Sequence, residues 1–174
     1  MATATGHSVG TTTHEVRRLA VPLGRPYADA IRAFEDAIPV LDRSQFAGLP
    51  DWGAVVAKAD EVMPLGFMRF WSTDVPPFME ASGHSWECTE YLMGNHVIAE
   101  QMYRYDPTVM LHAPLRLLIQ ADENGDGVLV IDQPSTLFAS FGDPRVAEVG
   151  RLLDAKLARV LTALGANPPA ELSQ

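Results

Sequence analysis

The sequence predicts an α+β domain. It has an antiparallel sheet of about four to six strands, helices packed on one face of it, and a long C-terminal helix. Three observations predict this. Short runs alternate apolar and polar residues, as half-buried strands do. From Cys88 to Asp132 these runs follow one another with short links, and short links join antiparallel neighbours. Val146, Val149, Leu152, Leu153, Leu157, Val160, Leu161 and Leu164 then form one apolar stripe of helical spacing, which needs a sheet or another helix to lie on.

The elements follow in order. His14 to Leu23 reads as a first strand, placed at an edge by its charges and Pro22. Pro26 opens a helix whose inner face carries Tyr27, Ile31, Phe34 and Ile38, and Pro39 ends it. Val40 to Asp51 is a connector, and Trp52 to Met63 a weaker helix with Val55, Val56, Ala59 and Met63 on one side. Phe67 to Val75 is an aromatic-rich strand, with Phe67, Arg69 and Trp71 assigned to one face. Ser85 to Met93 alternates Trp86, Cys88, Glu90 and Leu92 against Glu87, Thr89, Tyr91 and Met93. Asn95 caps a short helix over His96 to Tyr105, with Ile98, Met102 and Tyr105 facing inward. Pro114 to Gln120 and Val128 to Asp132 are strands joined through Asn124-Gly125, a hairpin signal. Asp143 caps the last helix with Pro144 in its first turn, and Gly165 ends it.

Residues 1–13 are expected to be a disordered arm, 14–165 a single domain and 166–174 a tail. The N-terminus lacks the basic and apolar regions of a secretory signal. A net charge of −9 and scattered basic residues argue against nucleic acid as a partner. The apolar runs are too short for a membrane helix. One cysteine, Cys88, suits a reducing cytoplasm and leaves no Cys pair for zinc. No metal is expected: the acidic Asp122–Gly127 turn lacks EF-hand spacing, and a strand follows it directly.

Tyr91-Leu92-Met93-Gly94-Asn95, Met102, Asp106-Pro107, Ala113-Pro114-Leu115-Arg116 and Asp132-Gln133-Pro134-Ser135 match a known pattern in order and spacing. The chain resembles the domain-of-unknown-function family 302, most strongly from Cys88 to Leu164. The resemblance implies a TATA-binding-protein-like α+β fold and a homodimer. It implies no established reaction and, despite the fold name, no DNA binding. Residues 40–63 stand out as an insertion between the first helix and the next strand. They make either a pocket wall or a passive surface excursion.

Candidate chemistry falls on few residues. His96, in the first turn of a helix, sits where free amides favour anions and where the dipole keeps an imidazole neutral. Glu90 would be raised toward a useful pKa if its strand face is the core face, with Arg116 as partner or as anchor for an anionic ligand. Trp71, Arg69 and Tyr91 complete the expected ligand-binding set. The expected function is binding of a small organic molecule between sheet and helices. As an enzyme, it would use His96 or Glu90 as base in cofactor-independent isomerase, cyclase or lyase chemistry on an organic acid or ketone. The alternatives are a non-catalytic ligand-binding or sensor dimer, and a haem or copper protein using His84, Cys88, His96 and His112. No cofactor is assigned, and Cys88 reads as a small buried residue rather than a catalytic thiol.

Overall fold

The computed structural model describes residues 10–84 and 86–173. Most of the expected arm, residues 1–9, lies outside them. Five strands form one antiparallel sheet: β1 (Arg18–Pro26), β2 (Met68–Asp74), β3 (Cys88–Gly94), β4 (Leu115–Ala121) and β5 (Asp126–Asp132), in the order β1-β5-β4-β3-β2. The order follows from the links. β4 and β5 are a hairpin turned at Gly125, whose φ of 81° glycine adopts freely. β1 returns to the far side of β5, leaving its prolines at an edge.

Burial alternates along the strands as the pleat requires. Leu19, Val21 and Leu23 of β1, Tyr91 and Met93 of β3, Leu115, Leu117 and Ile119 of β4, and Leu129 and Ile131 of β5 are buried. They form one core cluster with residues from the helices α1 (Tyr27–Ala37), α4 (His96–Tyr103), α5 (Pro134–Phe138) and α6 (Pro144–Ala163). Gly127 lets α1 lie close on β5, since a Cβ there would stand 2.4 Å from that of Ala30. The stretch expected as an insertion, residues 40–63, folds as a 3-10 turn over Arg43–Phe46 and a helix, α2 (Trp52–Val62). Ala59 and Met63 bury there against Met68 in a second, smaller cluster. A last short helix, α3 (Pro76–Met79), follows β2. No described helix is long and apolar enough to cross a membrane.

The structure corrects several local expectations. A bulge between Arg69 and Trp71 of β2 puts Arg69 opposite Met93 and Trp71 opposite Leu92, so these two do not share a face. α4 stops at Tyr103, and Tyr105 is exposed beneath the Arg145 guanidinium, 3.7 Å from the ring centroid. Leu152 sits on the exposed flank of α6 while the rest of its stripe is buried. Ala166 and Leu172 join the core, so the tail is packed down.

Candidate functional site

α4 begins where β3 ends, and Asn95 makes the junction. Its side-chain oxygen accepts hydrogen bonds from the Val97 and Ile98 amides at 2.9 and 3.1 Å, and its Nδ2 donates to the Gly66 carbonyl at 2.9 Å. Two of the helix amides expected to attract an anion, those of Val97 and Ile98, are therefore engaged by the chain's own cap. His96 follows, with its ring edge-on to Phe46 of the insertion, 4.6 Å between centroids. Burial lowers the His96 pKa from its ordinary value of 6.5. The imidazole is thus neutral near pH 7, one nitrogen donating and the other accepting. The direction matches the sequence expectation, but the cause is desolvation.

His96 lines a cavity of about 230 Å³ at the junction of α4 with the ends of β3 and β4. Its buried wall is apolar: Phe67, Ile98, Met102, Leu115, Phe138 and Leu153. Glu100 and Tyr103 stand with His96 along the α4 side, as spacings of four and three on a helix dictate. Tyr103 and Met110 are about half exposed and belong to the mouth. Glu100 is paired with Arg104. Among the described residues, no lysine or arginine lines the cavity. Sequence reading missed Glu100 and Tyr103. Their spacing from His96 along one helix was the available signal.

The other expected site residues lie elsewhere. Glu90, Arg116 and Trp71 are on the sheet face turned away from the core cluster, in register with Leu118, Leu92 and Leu92 respectively. Glu90 pairs with Arg116 at 3.0 Å, and the Arg116 side chain is 75% exposed, so the acid is not in apolar isolation. Arg69 and Tyr91 are on the helix side. Arg69 Nη1 lies 2.7 Å from Glu35 Oε1, and its Nε donates to the Ile38 carbonyl at 2.8 Å. The fully buried Tyr91 donates its hydroxyl to Glu35 Oε1 at 3.2 Å. Burial and the neighbouring Glu35 carboxylate raise its pKa. A pocket built from Trp71, Glu90, His96 and Arg116 together does not form, because the sheet separates His96 from the other three.

The soft-ligand set is also dispersed. His84 and Cys88 border a surface depression with Trp86 and Met79. His112 packs its ring against Phe138 and Phe141, away from both of them. Among the described residues, no three His, Cys, Asp or Glu side chains gather where they could hold a metal ion. Burial, then the nearby Glu90 carboxylate, pushes the Cys88 thiol pKa up, which suppresses the reactive thiolate.

The profile of the family described as "Domain of unknown function DUF302" matches residues 51–164, well over half of the chain. The chain belongs to this family. The fold is similar to the crystal structure of an uncharacterized conserved DUF302 protein from Bacillus stearothermophilus. The TM-score is 0.62 at 16% identity, over 84% of this chain and 97% of that one. At that identity the likeness carries the fold alone. No curated protein matches the sequence.

The residues that mark the DUF302 resemblance do structural work here. A Cβ on Gly94 would stand 3.0 Å from the Pro114 Cβ, so these two motif positions lock β3 onto the entry of β4. Asp106 accepts from the Thr108 amide and caps the turn after α4. Gln133 Nε2 donates to the buried Asp154 carboxylate of α6 at 2.6 Å, and the Ser135 amide donates to the same carboxylate at 2.9 Å. Asp154 drew no attention in the sequence, although a lone acid inside the α6 apolar stripe is the kind of signal that marks a buried polar anchor.

Proposed function

We propose that this DUF302 protein binds a small, largely apolar organic molecule in the cavity beside α4. The observation that carries the reading is an apolar recess of about 230 Å³ in which a half-buried, neutral histidine stands at the wall. Concave apolar sites with a few polar groups are where small molecules bind. In a catalytic version, cofactor-independent acid–base chemistry falls to His96, since Glu90 lies across the sheet. Arg116, Trp71, Arg69 and Tyr91 would then act on the fold or its partner rather than on the ligand. The test is substitution of Ala99, a cavity-lining residue on α4, by Phe. Saturable binding of small aromatic probes, followed by ligand-observed NMR, should vanish in Ala99→Phe and persist in Leu92→Ala on the other sheet face. Equal binding by both variants would place the ligand elsewhere.

We also infer a homodimer through the open sheet face. Leu92, Leu118, Val128 and Val130 are only partly buried there, and Trp71 is 46% exposed. The face carries Arg18 paired with Asp132 and Arg116 paired with Glu90, and its Asp126, unpaired among the described residues, lies at the hairpin end, so its centre is close to neutral on a molecule whose net charge is −9. Two acidic copies repel least through such a patch. Trp86, 76% exposed just before β3 and beside Cys88 and Gln120, extends the apolar surface. Sedimentation should show a dimer for the native chain and a monomer for Leu118→Glu. A native monomer at the highest concentration reached would end this reading.

A further inference from the structure

We propose that the cavity selects a neutral, single-ring alcohol or phenol whose hydroxyl donates a hydrogen bond to His96. This rests on the cavity being a binding site at all. Size supplies the first constraint. An apolar cavity of about 150 Å³ accommodates benzene. The roughly 230 Å³ found here leaves room for one ring and a few further heavy atoms.

Charge supplies the second. Among the described residues, the lining holds one carboxylate, Glu100, and neither lysine nor arginine. An anionic ligand would enter a recess without a counter-charge, next to an acid, and would lose its hydration with nothing in return. That departs from the organic acid suggested by Arg116, which lies on the other face of the sheet. A cationic ligand gains little either, because both Glu100 oxygens accept from Arg104.

Hydrogen-bonding capacity supplies the third. The cap consumes the Val97 and Ile98 amides and leaves only that of His96 in the first turn of α4, so backbone donors for a carbonyl or carboxylate ligand are few at this wall. The neutral imidazole offers one acceptor and one N–H donor, and a ligand hydroxyl, unlike a ketone or ether, can donate to the acceptor nitrogen. Phenols keep their proton near neutral pH, with an ordinary pKa of about 10 as in tyrosine. The phenyl body meets Phe67, Phe138 and Met102, and the hydroxyl meets His96.

The test compares p-cresol, toluene, benzoate and benzylamine on the full chain by calorimetry or ligand-observed NMR. The proposal expects p-cresol to bind about tenfold tighter than toluene, the worth of one good neutral hydrogen bond. Benzoate and benzylamine should bind more weakly than toluene. His96→Phe should reduce p-cresol to the level of toluene, and His96→Gln, which keeps an acceptor, should restore part of the preference. If toluene and p-cresol bind equally, or benzoate or benzylamine binds best, the ligand class is wrong and the cavity remains a binding site. If none of the four binds saturably, the cavity reading itself fails and the ligand class fails with it.

Discussion

The two faces of the sheet use polar residues in opposite ways. On the helix side, the polar side chains that are fully buried are matched. Arg69 and Tyr91 share Glu35, while Gln133 and the Ser135 amide share Asp154. No buried side-chain nitrogen or oxygen is left without a partner among the described residues. On the open side, Glu90–Arg116 and Arg18–Asp132 sit in water, on a surface with no helix over it. The same residue types therefore carry different weights. A buried pair is expensive to break because its partner is stranded. An exposed pair is screened and nearly free to lose. An acid and an arginine side by side in a strand are not by themselves a site; which face they occupy decides.

This contrast can be broken by substitution. The largest effect is expected for Asp154→Ala, which strands the Ser135 amide between α5 and α6 and leaves Gln133 Nε2 only the Glu171 carbonyl. It should cost about 3 kcal/mol in urea unfolding, and a loss below about 1 kcal/mol would mean the anchor is dispensable. Tyr91→Phe removes one hydroxyl but leaves Arg69 on Glu35, and about 1 kcal/mol should be lost. Acid should weaken the helix side more than the open side. His96 and His112 both have lowered pKa values, His96 by burial and His112 by burial and the facing His14, with Asp132 opposing. In the window just below 6.5 the unfolded chain therefore holds more protons than the folded one, so stability falls as pH falls. Chemical denaturation at several pH values should show that slope, flattened in a His96→Gln, His112→Gln double variant. An unchanged slope would assign it to other groups. The smallest effect is expected for Glu90→Gln, within about 0.5 kcal/mol for the monomer. A loss like that of Asp154→Ala would erase the distinction between the faces.

Of the candidate site, His96 alone was readable from the sequence. His96 was legible because Asn95 marks a helix start and a histidine in a first turn is conspicuous. Glu100 and Tyr103 were implicit in the same helix but gained meaning only when Phe138, Leu153 and Leu115, distant in sequence, closed a cavity beside them. Glu90 and Arg116 were read as neighbours, and they are: β3 and β4 pair so that the two side chains meet at 3.0 Å. What the alternation of β3 left open was which of its two faces meets the helices. Phe46 was unremarkable in a connector until the turn that carries it came to rest on His96.

Sequence alone was enough for the α+β class, the DUF302 membership, the approximate positions of the five strands and of the four longer helices, and the Asn95 and Asp143 caps, whereas α3, α5 and the Asp51 cap of α2 went unread. The features that were read depend on local periodicity and on residues a few positions apart, which the chain states directly. The tertiary structure alone decided which sheet face is covered, where the bulge in β2 reverses the side-chain order, and that Asp154 anchors Gln133 from 21 residues away. Facing is a property of pairs of elements, because a strand with two mixed faces can bury either. Only the packing of α1, α4 and α6 chose the one bearing Tyr91 and Met93, leaving Glu90 and Arg116 outside.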